Sequence, residues 1–146
     1  MSSEFDDAKD SPGFLLWKVT NVWQKRIRHA LEQFELTHAQ FVLLFSCHWL
    51  NERGDGSSVT QIQLAQHAQV DVNVTSQVLR SLEKRGYITR SPHPTDTRAN
   101  VIRPTPSGSE LALRAVQAVE AADRSFFAAI GEEKARLIQL LLRLLP

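Results

Sequence analysis

The sequence predicts a mainly helical chain with a single two-stranded β-hairpin. Three observations lead there. Apolar residues recur at three- and four-residue spacing near both ends, two short capped helical patterns meet at a tight turn in the middle, and two strand-like runs flank a proline-rich loop.

Residues 1–11 are polar and acidic and read as a disordered or frayed acidic tail. Pro12 opens a long amphipathic helix through Phe14, Leu15, Trp17, Val19, Val22, Trp23, Ile27, Ala30, Leu31 and Phe34, since proline is tolerated in a first turn. Thr37 caps the next helix, with Gln40 at the capping-box position. Its Phe41, Val42, Leu44, Phe45, Cys47, His48 and Leu50 leave hardly a polar side, which predicts a central place. Residues 51–58, with Arg53-Gly54-Asp55-Gly56, read as a loop.

Thr60 then caps a helix holding Ile62, Leu64, Ala65 and Ala68. After Gln69-Val70, Asp71 caps a longer helix reaching Arg85, with Val74, Val78, Leu79 and Leu82 facing inward and Gly86 as its stop. Residues 87–90 and 98–103 read as strands, with Pro104 expected to cut the second one short. The helical period resumes at Pro106, passes Leu111, Ala115, Val119, Ala122 and Phe126, and breaks at Gly131. Helix, turn, helix, strand, loop, strand is the order of a winged helix-turn-helix with a two-stranded β wing.

The last helix carries seven large aliphatics within residues 137–145. Burying one such side chain is worth about 1.5–3 kcal/mol, so a face of this kind seeks a partner. Either the helix is packed on both sides within a monomer or it joins two chains; the two apolar end helices favour a homodimer. The expected division is a helical dimerisation region at 12–36 and 106–146 around a DNA-binding winged helix-turn-helix at 37–105.

At 146 residues, 42% hydrophobic and 23% charged, the chain is long enough to bury its own core and is not wholly disordered. A lone cysteine, Cys47, excludes an internal disulfide. No apolar run is long enough to span a membrane, and the acidic N-terminus has the wrong sign for a secretory or transit signal, so a cytoplasmic location is expected.

Net charge is only +1, but it is segregated. Residues 71–103 hold six basic side chains against three acidic ones, whereas residues from Ser107 onward balance five against five. A basic winged unit suits a polyanion. The second helix of such a pair enters the major groove and its N-terminal residues meet base edges. Here those residues are Val72, Asn73, Thr75, Ser76 and Gln77, with Arg80 a turn further on. Asn73 and Gln77 share a face and can pair with adenine, while Thr75 and Ser76 can bond a base or a phosphate. Asn, Thr and Ser are poor helix formers, so their concentration here calls for a reason other than propensity. Thr60, Gln61 and Gln63 open the preceding helix and are placed for backbone phosphates, as is Arg90.

Leu64-Ala65, Val70-Asp71, Val78-Leu79, Leu82-Glu83-Lys84-Arg85-Gly86-Tyr87-Ile88, Asp96-Thr97-Arg98 and Thr105-Pro106-Ser107-Gly108 together resemble the MarR family of bacterial transcription regulators. The resemblance implies a homodimer with interlocking end helices, each subunit placing a winged helix over half of a palindromic operator in double-stranded DNA. It also implies that Arg98 enters the minor groove and that Asp96 stabilises the wing by pairing with basic side chains. A narrow A·T-rich minor groove attracts an arginine for electrostatic reasons as well. Thr75 departs from the pattern, standing where the family has an aliphatic core residue; Pro104 replaces a leucine.

The family commonly binds a small aromatic or lipophilic acid between its dimerisation helices and the winged helix. Trp17, Phe45, His48 and Trp49 are the effector-binding candidates, although aromatics on an apolar face also serve simply as core. Cys47 lacks a basic neighbour and the early cysteine of the family's peroxide sensors, which argues against a redox role. No cofactor and no metal is expected, because His38 and His48 lie too far apart along one helix to share an ion. There is no phosphate loop and no nucleophile elbow, so an enzyme is not expected. The reading is a sequence-specific DNA-binding repressor released by an effector. The alternatives are a winged helix used for protein interaction, or a constitutive DNA binder without an effector.

Overall fold

The computed structural model of the chain describes residues 3–54 and 58–146. Asp55 and Gly56, within the expected loop, lie outside the described residues. Among the described residues six α-helices and one hairpin follow in order: α1 (Pro12–Leu31), α2 (His38–Arg53), α3 (Gln61–Ala68), α4 (Val72–Lys84), β1 (Ile88–Pro92), β2 (Asn100–Pro104), α5 (Pro106–Phe127) and α6 (Lys134–Leu144).

Local chemistry explains most of the boundaries. The Thr37 and Thr60 caps form complete capping boxes. The Thr37 hydroxyl accepts from Gln40 N–H while the Gln40 side chain accepts from Thr37 N–H, and Thr60 and Gln63 repeat the arrangement. Asp71 Oδ1 accepts from the N–H groups of Asn73 (2.8 Å) and Val74 (3.3 Å). Gly86 leaves α4 with φ +82°, a conformation that costs other L-residues about 1–2 kcal/mol.

Within the expected tail, residues 8–10 form a 3₁₀ turn capped by the Asp7 carboxylate, and Ser11 caps α1. The loop after α2 is shorter than expected, because Asn51, Glu52 and Arg53 complete the helix. Asn51 is held there by donating to Cys47 O (2.7 Å) and Ile102 O (3.2 Å).

β1 and β2 pair antiparallel from Ile88 opposite Pro104 to Pro92 opposite Asn100. Pro104 therefore does not shorten the second strand. It stands last in line, where no ladder N–H is missed. On the other side of β2, Ile102 N–H donates to Val59 O (2.8 Å) and Thr60 bridges Val101, which ties the segment before α3 to the wing.

The core is built around α2. Leu43, Leu44 and Cys47 are fully buried and join Ile27 and Leu31 of α1, Leu64 of α3, Leu79 and Leu82 of α4, Ile102 of β2, and Ala112 and Ala115 of α5. Only the C-terminal part of α1 takes part. Phe14, Leu15, Leu16, Val19 and Val22 are exposed, and α6 buries no residue at all. Between these two helices and the end of α5 runs an apolar groove of about 700 Å³, lined by Leu16, Val19, Trp23, Phe126, Leu137 and Leu141 among others. No described helix is long and apolar enough to cross a membrane.

Candidate nucleic-acid interface

α3 and α4 meet at Gln69, whose φ of +55° makes the turn, and Val70 N–H returns to Ala65 O (3.0 Å). α4 packs its inner side on α2 and leaves its outer side open. Asn73, Gln77 and Arg80 are exposed there and Ser76 is half-buried. Arg80 Nη2 donates to Ser76 Oγ (3.1 Å).

Thr75 is 0% exposed, so the expectation that it contacts DNA is corrected. It points into the core at the place where an aliphatic residue would also fit, and its hydroxyl has no partner among the described residues. Val74 is the opposite case. It was expected inward, yet it is 44% exposed beside the exposed Val72. Ile62 of α3 is exposed too. Two bare valines flanking Asn73 form an apolar surface of the kind that suits a thymine methyl; the sequence reading places Val72 among the base-facing residues and misses Val74.

The α3 residues expected at phosphates are partly occupied elsewhere. The Thr60 hydroxyl oxygen and the Gln63 side-chain oxygen serve the capping box, leaving the Gln63 amide nitrogen outward as a donor. Gln61 turns its side-chain oxygen inward, where it is buried without a partner among the described residues. Arg90 is partly occupied as well. Its Nε donates to Glu83 Oε1 of α4 (3.2 Å) and its side chain is half-buried, which ties the wing to α4.

The wing tip is built by side chains. His93 Nδ1 accepts from the N–H groups of Thr95 and Asp96 (3.2 Å each), which places the ring proton on Nε2. His93 N–H and Ala99 N–H close the loop on Ala99 O and Asp96 O (3.0 Å each). Asp96 Oδ1 accepts from Arg98 N–H (3.1 Å) and lies 3.5 Å from Arg98 Nε. The Arg98 side chain is 93% exposed at the tip. His93 was not singled out from the sequence. The signal it left was its place between two prolines, three residues before an aspartate.

The four effector candidates do not share one pocket. Trp17 is 66% exposed and lies outside the apolar groove. Phe45 stacks on Phe41 and tilts against His48, whose Nδ1 lies 3.1 Å from Ser109 Oγ. Trp49 stacks on His67 of α3 (centroids 5.5 Å apart) and has the Arg53 guanidinium over its ring (4.2 Å). A different hollow, of about 360 Å³, joins the parts such a ligand would bridge. Gln24 and Arg28 of α1 and His38 of α2 line it, over Val42, Ala68 and the turn residue Val70. Burial lowers the His38 pKa from its ordinary value; Asp123 opposes this and Arg28 adds to it. Among the described residues no cluster of three or more metal-ligating side chains occurs. Cys47 is buried, and desolvation pushes its thiol up to about 12, which makes it a poor nucleophile.

The family model described as MarR matches residues 36–99, which span α2, α3, α4, β1 and the wing loop up to the start of β2. YdcH of Bacillus subtilis (strain 168), an uncharacterized HTH-type transcriptional regulator, is 44% identical over 127 residues, covering 87% of this chain and 85% of its own length. The HTH-type transcriptional repressor Rv2887 of Mycobacterium tuberculosis is 31% identical over 130 residues, covering 88% and 89%. A crystal structure of a mutant MarR from E. coli complexed with operator DNA superposes with a TM-score of 0.82 at 24% identity, covering 99% of this chain and 100% of that one.

Proposed function

The chain belongs to the MarR family of HTH-type transcriptional regulators, and from that premise we propose that it is a homodimeric repressor that grips a palindromic operator in double-stranded DNA. The observation that carries this reading is the joint exposure of Asn73, Gln77 and Arg80 on one side of α4 and of Arg98 on the wing tip. α4 lies in the major groove, where the two amides and Arg80 meet base edges and Val72 and Val74 meet thymine methyls. Arg98 enters the adjacent minor groove, and Asp96 holds it in line. Gln63 and the N-terminus of α3 take backbone phosphates.

A second copy covers the apolar groove between α1 and α6. An exposed surface of this size and character marks an interaction site, and closed two-fold dimers are the commonest solution. The same two-fold axis gives the operator its palindromy.

The effector is a small aromatic or lipophilic acid. Arg28, His38 and Gln24 offer positive charge and donors above an apolar floor, and the volume falls within the range of small-molecule sites. Because Val70 directly precedes the Asp71 cap of α4, an occupant of this hollow bears on the angle of that helix. A protein-interaction module would show no DNA affinity, and a constitutive binder would ignore the acid.

The test is selection of bound fragments from the source genome, followed by fluorescence anisotropy on the selected duplex with and without aromatic acids. Saturable binding of two chains per duplex, reversed by an acid, supports the reading. Absence of affinity for any fragment overturns it.

A further inference from the structure

We propose that Ser76 is a positioning residue for Arg80, and that the pair commits each operator half-site to one G·C base pair. This deepens the DNA-binding reading and rests on it.

Ser76 and Arg80 stand one turn apart on the outer side of α4, with Arg80 Nη2 donating to Ser76 Oγ (3.1 Å). Helical side chains lean toward the N-terminus, so the bond draws the guanidinium toward the half of α4 that enters the groove. An unrestrained arginine on an open helix surface samples many rotamers, and the hydroxyl selects among them before DNA arrives. One N–H is spent on the hydroxyl and four remain, enough for a bidentate contact.

The chemistry of the target follows. Arg80 is donor-only, so its complement is an edge with two adjacent acceptors. In the major groove that edge is guanine, through O6 and N7. Asn73 and Gln77 both donate and accept, which suits adenine. From Asn73 to Arg80 is seven residues, a rise of about 10 Å or roughly three base steps. The half-site therefore pairs an A·T contact with a G·C contact about three base pairs away. Ser76 acts on the second through Arg80 and reads no base of its own.

Selection from a randomised palindrome library tests this, with wild type, Arg80→Ala, Ser76→Ala and Ser76→Thr proteins. Wild type should prefer G at one position per half-site by about tenfold or more. Arg80→Ala should abolish that preference and leave the other positions alone. Ser76→Ala should weaken the same position about three- to tenfold, with unchanged melting temperature and unchanged salt dependence. Ser76→Thr, which keeps the hydroxyl, should restore it. A merely structural role for Ser76 would lower affinity evenly across the site.

Two results overturn the proposal while leaving DNA binding intact: Ser76→Ala with the wild-type preference profile, or a loss at a base pair other than the one Arg80→Ala affects. If wild type selects no sequence at all, the DNA-binding reading falls, and this proposal falls with it.

Discussion

Gly108, in the first turn of α5, lies against the backbone of Tyr87 so closely that a Cβ would overlap the Tyr87 carbonyl oxygen. The same carbonyl accepts from Thr105 N–H (3.0 Å), and the Thr105 hydroxyl donates to Gly86 O (2.7 Å). The Thr-x-x-Gly start of α5 thus joins the end of α4 to the helix that carries the dimerisation surface. Because the obstacle is backbone, it cannot swing aside. Gly108→Ala should destabilise the chain by about 1–3 kcal/mol, read as a lower urea midpoint at unchanged slope. An unaltered midpoint would refute the close approach.

Arg98→Ala should weaken operator binding by about 1–3 kcal/mol and leave the melting temperature where it was, since the side chain touches little of its own protein. His93→Ala should weaken binding through a different route. It removes the acceptor for the N–H groups of Thr95 and Asp96, and faster amide exchange at those two positions is the accompanying signature. Full affinity in both variants would remove the wing from the interface.

Stability should fall on both sides of neutrality. Burial lowers the His38 pKa in the folded chain, so the unfolded chain binds more protons and stability declines as pH drops below about 6.5. The Cys47 thiol is raised to about 12, so its contribution is complete below an unfolded value of 9.0 and is lost as pH climbs from there toward 12. Urea titrations across pH check both slopes, with His38→Asn flattening the acid limb. A thiol reagent at mildly alkaline pH should leave the native chain untouched and label it in urea.

Leu141→Glu places a charge in the groove between α1 and α6. The variant should sediment as a folded monomer and lose operator affinity by about a hundredfold or more, because the two half-sites are then no longer held together. A dimer of undiminished affinity would move the subunit contact elsewhere.

What could be read from the residues was what local chemistry decides. The Thr37 capping box, the Thr60 and Asp71 caps and the Gly86 stop depend on neighbours three or four residues apart, and all four stand as expected. The reading failed where a third element decides. Val74 and Thr75 are adjacent, and helical periodicity alone could not say which faces α2. Arg90 has a nearby carboxylate only because β1 folds back beside Glu83. Trp49 of α2 finds His67 of α3, a contact that no spacing in α2 announces. Pro104 was read as a strand breaker, yet at the end of a two-stranded wing its missing N–H costs nothing.

Whether α4 and the Arg98 wing hold one duplex together is decided by titrating the dimer against its selected palindrome and against a scrambled duplex, across about 50 to 200 mM salt. The expected result is tight binding to the palindrome alone, a steep loss with salt on both duplexes, and a preference that survives as the electrostatic part is screened. Equal affinity for the two duplexes, or binding indifferent to salt, would contradict it.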